Sequence, residues 1–253
     1  MDIPQIFYFL LGTAVGSFLN AWSRRLLRGQ FPTGRSHCEH CRHILGFFDL
    51  IPLLSFIALR GRCRYCHKPL SWQYPTVEFA TGLLFVEFSL ITDGDLRLTV
   101  PLLIASSALI TIFITDFSAQ IIFDQVLWVA GGGALMYRLL ATSNSRLAYD
   151  LMGAFGVFFF LQAIRGITRK RGLGEGDPPL GFITALLVGF PLALVELFLA
   201  FVGGGATGAG LVLLGKKKLK DRVAFGPFLV AAAFATILLG ERIWTWYLGV
   251  LGL

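Results

Sequence analysis

Charge is what this sequence has least of. Asp, Glu, Lys and Arg make up 15% of its 253 residues, against roughly 25% in a soluble globular domain. Hydrophobic residues make up 55%, and mean hydropathy is +0.71. That shortage of charge excludes a disordered chain, a coiled coil and an ordinary soluble enzyme. Cysteine is equally sparse: all four lie between Cys38 and Cys66. A disulfide set there would indicate an exported domain, and a metal site a cytosolic one. No Rossmann fingerprint and no Gly-Lys-Ser/Thr phosphate loop is present. The first apolar run lacks a preceding basic region, and Arg24 and Arg25 follow it. It therefore reads as an uncleaved anchor rather than a signal peptide.

What the chain does have is apolar length. A bilayer crossing needs about 20 residues, and eight such segments are expected: 3–22, 75–91, 98–115, 121–140, 149–167, 180–201, a short glycine-rich one at 206–214, and one beginning near 225. The fold class expected is an all-α polytopic membrane protein with a small cytoplasmic domain between the first two helices. Three pieces follow: a transmembrane helix at 1–22, a four-cysteine domain at 23–74 and a transmembrane domain at 75–253. Eighteen of the 22 Lys and Arg residues fall in three alternate loops, at 23–73, after the fifth crossing and after the seventh. Arg97, Arg138, Arg146 and Arg242 fall on the other side. The positive-inside rule then puts the 23–73 loop in the cytoplasm and both termini outside. This alternation of basic loops with apolar segments speaks against nucleic acid as the partner behind the net charge of +7.

Cys38-Glu-His-Cys41 and Cys63-Arg-Tyr-Cys66 are two C-x-x-C knuckles separated by 21 residues. Four thiolates so spaced can close a tetrahedral zinc site. A closed site has no position for water, so its expected role is to fold a loop with little core of its own. The alternative is a pair of redox dithiols. His37, His40, His43 and His67 are expected at the surface or behind the ligands.

Acids near an apolar run are costly and are functional candidates. Asp116 ends the run Leu109-Ile-Thr-Ile-Phe-Ile-Thr115, and Asp177 lies in Gly174-Glu-Gly-Asp177. The expected topology puts both at the cytoplasmic membrane face, although 61 positions separate them. Two carboxylates meeting there can share one proton, one activating water and the other protonating the leaving group. Asp124 is the rival partner. A continuous helix would hold it about 12 Å from Asp116, too far for a pair unless the chain turns back. Glu87 and Glu196 are expected deeper, as bundle-interior groups. Gly174 and Gly176 read as backbone that a peptide can approach closely.

These residues resemble the bacterial type IV prepilin peptidases, membrane aspartic proteases of the GxGD type. The similarity runs through Val15-Gly-Ser-Phe-Leu-Asn20, the cysteine loop with Ile51-Pro-Leu-Leu-Ser55, Ser71-Trp-Gln-Tyr-Pro75-Thr-Val-Glu78, Asp116, Gly174-Glu-Gly-Asp177 and Phe225-Gly-Pro-Phe228. The resemblance implies a catalytic pair of Asp116 and Asp177, supported by Asp124, Gly174 and Gly176, with structural zinc on Cys38, Cys41, Cys63 and Cys66. It implies a prepilin or pseudopilin substrate, cleaved at the cytoplasmic face of the bacterial inner membrane. It also implies N-methylation of the new N-terminus from S-adenosylmethionine. Two departures stand out: Pro179 occupies the place of a usual Lys, and Phe123 that of a frequent Pro. Competing readings are a transporter with acids on an ion pathway, a non-enzymatic protein with a zinc docking loop, and a methyltransferase with a degenerate protease site.

Overall fold

The structure is a computed structural model, and it describes residues 3–31, 33–169, 172–216 and 223–251. Among these no strand occurs. The helices are α1 (Ile3–Leu27), α2 (Leu54–Ala58), α3 (Gln73–Ile91), α4 (Leu96–Ala119), α5 (Asp124–Ala141), α6 (Asn144–Ile167), α7 (Asp177–Val188), α8 (Leu192–Leu213) and α9 (Gly226–Leu251). Six of them, α1, α3, α4, α6, α8 and α9, are long and apolar enough to cross a membrane. The 18-residue α5 and the 12-residue α7 fall outside that set. Lys170, Arg171, Lys217, Lys218, Lys220 and Arg222, which the charge count used, lie outside the described residues, as does Met1.

The expected crossings at 180–201 and 206–214 are divided elsewhere. The first is broken between Val188 and Leu192, and α8 then runs straight through the expected loop at 202–205. Gly203 and Gly204 sit inside α8, where their bare backbone faces the Phe228 ring of α9. Small residues at a helix crossing let a partner approach, and here they fill that role rather than ending a helix. Glu87 also departs from expectation: it is exposed on α3, whereas Glu196 is buried.

The chain forms two compact units, Met1–Thr99 and Val100–Leu253. In the first, α1 and α3 pack antiparallel through residues that leave no room for a side chain. A Cβ on Gly12 would stand 2.7 Å from the Thr81 carbonyl oxygen, and one on Gly16 3.0 Å from the Glu78 Cα. This crossing returns the chain to the level at which α1 ended, where the Arg24 guanidinium lies 4.3 Å over the Tyr74 ring. The cysteine loop is strung between those two helix ends.

In the second unit α7 is the most enclosed element, with ten of its residues buried. The hydroxyls of α4 bond back to carbonyls one turn earlier, for example Ser107 to Leu103 at 2.7 Å and Thr111 to Ser107 at 3.0 Å. They thereby need no outside partner. The break after α7 exposes backbone groups inside apolar surroundings, which must be satisfied from within the protein. Three side chains do this. Asp150 accepts the Phe190 N–H at 2.9 Å, Arg146 donates to the Phe190 carbonyl at 3.0 Å, and Arg138 donates to the Leu186 carbonyl at 2.9 Å. Arg138 also lies 3.7 Å from the Asp150 carboxylate. The C-terminal part of α5, the N-terminal part of α6 and the end of α7 therefore meet at one level of this unit.

Candidate active site

At the other end of α7 stands Asp177, its first residue and only 4% exposed. A helix N-terminus presents unpaired N–H groups and favours negative charge. The Asp177 Oδ2 accepts the Gly174 N–H at 2.6 Å. The Arg165 charge acts on the same carboxylate, and its guanidinium pairs with Glu175. Gly176, just before Asp177, abuts Ile122: an added Cβ would fall 2.8 Å from the Ile122 Cβ.

Asp116 lies one turn before the end of α4 and is 5% exposed. It is within electrostatic range of Asp177. The start of α9 joins the two acids. The Gly226 N–H is directed at the Asp116 carboxylate. A Cβ on Gly226 would meet Asp116 Oδ2 at 2.5 Å and Leu180 Cδ2 at 3.3 Å, and Leu180 stands three residues after Asp177 on α7. Asp116 Oδ2 is buried and has no hydrogen-bond partner among the described residues. A buried carboxylate oxygen without a partner is costly and marks a site of chemistry. Two buried carboxylates that meet can hold one proton between them, as an acid–base pair requires.

Asp124 is the exposed first residue of α5. The helix is not continuous from Asp116: α4 stops at Ala119, and Gln120 adopts φ 57° in the turn. Glu196 is fully buried on α8, with neither carboxylate oxygen hydrogen-bonded among the described residues.

The four cysteines form the second candidate centre. Their sulfurs all lie within 4.8 Å of one another, and Cys38 and Cys66 are 3.8 Å apart. A tetrahedron with metal–sulfur bonds of ~2.3 Å has edges of ~3.8 Å, so the four thiols fit one zinc ion. Two turns of the same shape build the site. Cys38 receives an N–H from, and donates its own to, the first turn through His43 O and Arg42 N, both at 2.9 Å. Cys63 repeats this with Lys68 O and His67 N at 2.9 Å, and Arg42 (φ 59°) and His67 (φ 56°) take the same left-handed backbone. Burial pushes the Cys38 thiol up, but the Cys41 and His40 N–H groups together with the Cys63 and Cys41 thiols bring it down to about 7. The four histidines are exposed. Asp49 ties the second turn down. It accepts from Arg64 at 2.6 Å, Gly46 N at 3.0 Å and Tyr65 at 3.1 Å, and Tyr65 stacks on His43 at 3.6 Å.

Residues 10–91 match the bacterial peptidase A24 N-terminal domain, and residues 103–209 match the type IV leader peptidase family. The prepilin leader peptidase/N-methyltransferase of Aeromonas hydrophila is 33% identical over 97% of this chain and 95% of its own length. The chain belongs to the type IV leader peptidase family. The enzyme of the same name from Bacillus subtilis is 30% identical over 95% of this chain and 96% of its own. The type 4 prepilin-like proteins leader peptide-processing enzyme of Escherichia coli is 33% identical over 90% and 91%. No solved structure matches. The protein is thus a multi-pass membrane peptidase. Its family segment 103–209 contains Asp116, Asp124, Gly174, Gly176 and Asp177, and the segment 10–91 contains all four cysteines.

Sequence reasoning gave Gly226 no role, although Phe225-Gly-Pro-Phe228 was part of the resemblance. The available signal was Gly-Pro at a helix start, a usual N-terminal arrangement. That the glycine backs a carboxylate depends on the crossing of α9 with α4 and α7.

Proposed function

We propose that the protein hydrolyses the leader peptide of type IV prepilins or pseudopilins, using Asp116 and Asp177 as its catalytic pair. The observation that carries this is the burial of two carboxylates from distant parts of the chain at the ends of α4 and α7, bridged by Gly226 against Asp116 and Leu180, with one Asp116 oxygen unpartnered among the described residues. In the reaction a water oxygen attacks the scissile carbonyl carbon while one carboxylate takes the water proton. The other carboxyl protonates the amide nitrogen, and the C–N bond breaks to leave an acid and an amine. Gly174 holds the Asp177 carboxylate through its N–H, and the bare backbone of Gly226 packs against the Asp116 carboxylate. Both acids stand at helix ends rather than midway along a helix, which favours hydrolysis over ion transport.

The site belongs at the cytoplasmic face of a bacterial inner membrane, with the cysteine loop on the same side and both termini opposite. Zinc on Cys38, Cys41, Cys63 and Cys66 would cross-link that loop. The freed amine is then N-methylated. S-adenosylmethionine, when bound, supplies a sulfonium-activated methyl group. That methyl group would pass to the freed amine nitrogen as the C–S bond broke toward sulfur, and the nitrogen would give up a proton.

The test is leader cleavage by the purified protein in lipid nanodiscs. Asp177→Asn keeps the size of the side chain but exchanges no proton, and it is expected to abolish cleavage. Near-normal cleavage by that variant would overturn the assignment.

A further inference from the structure

The two acids stand at opposite kinds of helix end. Asp177 opens α7, where unpaired N–H groups favour an anion, and it accepts the Gly174 N–H at 2.6 Å. Asp116 lies one turn before the end of α4, where the carbonyl end of the helix disfavours an anion. Its Oδ2 has no partner among the described residues. Pro178 and Pro179 follow Asp177, and α7 has no Lys, Arg or His of its own. The cation that acts on Asp177 comes from α6, and it is Arg165.

Helix packing places that cation. Gly181 of α7 abuts Leu161 of α6, and a Cβ on Gly153 of α6 would stand 3.1 Å from the Phe190 Cβ, just past α7. The two helices therefore run antiparallel. Arg165 stands one turn after Leu161 and Asp177 one turn before Gly181, so the two share a level. The Arg165 side chain is 13% exposed there, and its Nε is buried with no hydrogen-bond partner among the described residues. Its ion-pair partner among them, Glu175, is 84% exposed, and water screens that pair. A cation enclosed this far is costly unless an enclosed anion faces it, and Asp177 is that anion.

We propose that Arg165 is a positioning residue whose charge keeps Asp177 the anionic member of the pair, so that Asp177 is the base and Asp116 the acid. The inference rests on the peptidase reading above and assigns the two roles within it. Asp177 takes a proton from water as the water oxygen bonds to the scissile carbonyl carbon. Asp116 gives its proton to the amide nitrogen, which keeps the electron pair of the breaking C–N bond. The proton on Asp177 then passes to Asp116, which restores the pair. The other charged groups around α7 are anions: Asp116 on α4, Asp124 at the start of α5, Glu175 in the turn before Asp177 and Glu196 on α8. On α9 no charged residue precedes Glu241.

The pH dependence of leader cleavage by the full chain in nanodiscs tests this, because the acidic limb reports the group that must be ionised. Removing a cation from beside a carboxylate makes it harder to ionise. In Arg165→Gln the acidic limb should therefore move up by about one pH unit or more, as an adjacent Arg is worth, while cleavage recovers at higher pH. Arg165→Lys keeps the charge and loses the fork, and its limb should stay with that of wild type. Glu175→Gln is an exposed change that spares the fold. It removes an anion from the same guanidinium and should move the limb down by a smaller amount. A limb that stays put or moves the wrong way in Arg165→Gln or Glu175→Gln would overturn the proposal. Equal loss of cleavage at every pH in both Arg165 variants would make Arg165 a packing residue and overturn it too. A wild-type protein that cleaves no leader, or an active Asp177→Asn, would instead overturn the peptidase reading itself.

Discussion

At the scale of single residues, the proposed chemistry depends on two carboxylates acting as a unit. Asp116→Asn and Asp177→Asn are each expected to lower leader cleavage by about 10²–10⁴-fold. The double variant should lose little more than either single one, because removing one member already disables the pair. Initial rates on a purified prepilin measure all three. Asp124→Asn should be milder, since Asp124 is exposed at the start of α5; full loss there with activity retained in Asp116→Asn would transfer the first role to it. Gly226 supplies a subtler test. Its missing Cβ would stand 2.5 Å from Asp116 Oδ2, so Gly226→Ala must displace the carboxylate or the start of α9. Cleavage is expected to fall while helix content by circular dichroism stays unchanged. The acids stood out in the sequence because carboxylates are costly in an apolar chain, and the cysteines because of their paired spacing. Gly226 did not, since a glycine's role there is to be absent from the space a carboxylate occupies.

At the scale of elements, the cysteine loop and the α7–α8 break can each be probed alone. The purified protein should carry about one zinc per chain, and replacing one cysteine by Ser should open the loop to protease before the helices respond. Asp49 adds a pH dependence of its own. Burial pushes its carboxyl up, but Arg64, the Gly46 N–H and the Tyr65 hydroxyl outweigh that and hold it below its ordinary value. A depressed carboxyl stabilises the fold above its unfolded pKa, and that stability is lost as pH falls through the folded value. Protease sensitivity of the loop should therefore rise more steeply at acid pH in wild type than in Asp49→Asn. The difference should not exceed about 1 kcal/mol, because Arg64 is half exposed. For the break, Asp150→Ala should lower stability by roughly 2–3 kcal/mol, the worth of a charged hydrogen-bond acceptor. Thermal unfolding in detergent measures it. The sequence concealed this break because hydropathy runs unbroken across it. The groups that satisfy its backbone, Arg138, Arg146 and Asp150, come from other helices. The matching turns around Cys38 and Cys63, by contrast, were written openly as two C-x-x-C pairs, each followed by two basic or histidine residues.

At the scale of the whole molecule, the alternation of basic loops fixes the expected topology. A reporter fused at Lys217 should read on the same side as one in the 23–73 loop. An opposite reading would overturn the map. The antiparallel crossing of α1 and α3 has one more consequence, which concerns chain entropy. With Arg24 and Tyr74 already in contact, the roughly 45 residues strung between the two helices form a closed ring before any metal arrives. Closing a ring of that length costs about 3 kcal/mol, and here that cost falls on helix packing rather than on the ion. A peptide of residues 28–72 must meet it from its metal affinity. Chelator competition should accordingly show the isolated loop holding zinc up to about a hundredfold more weakly than the intact chain.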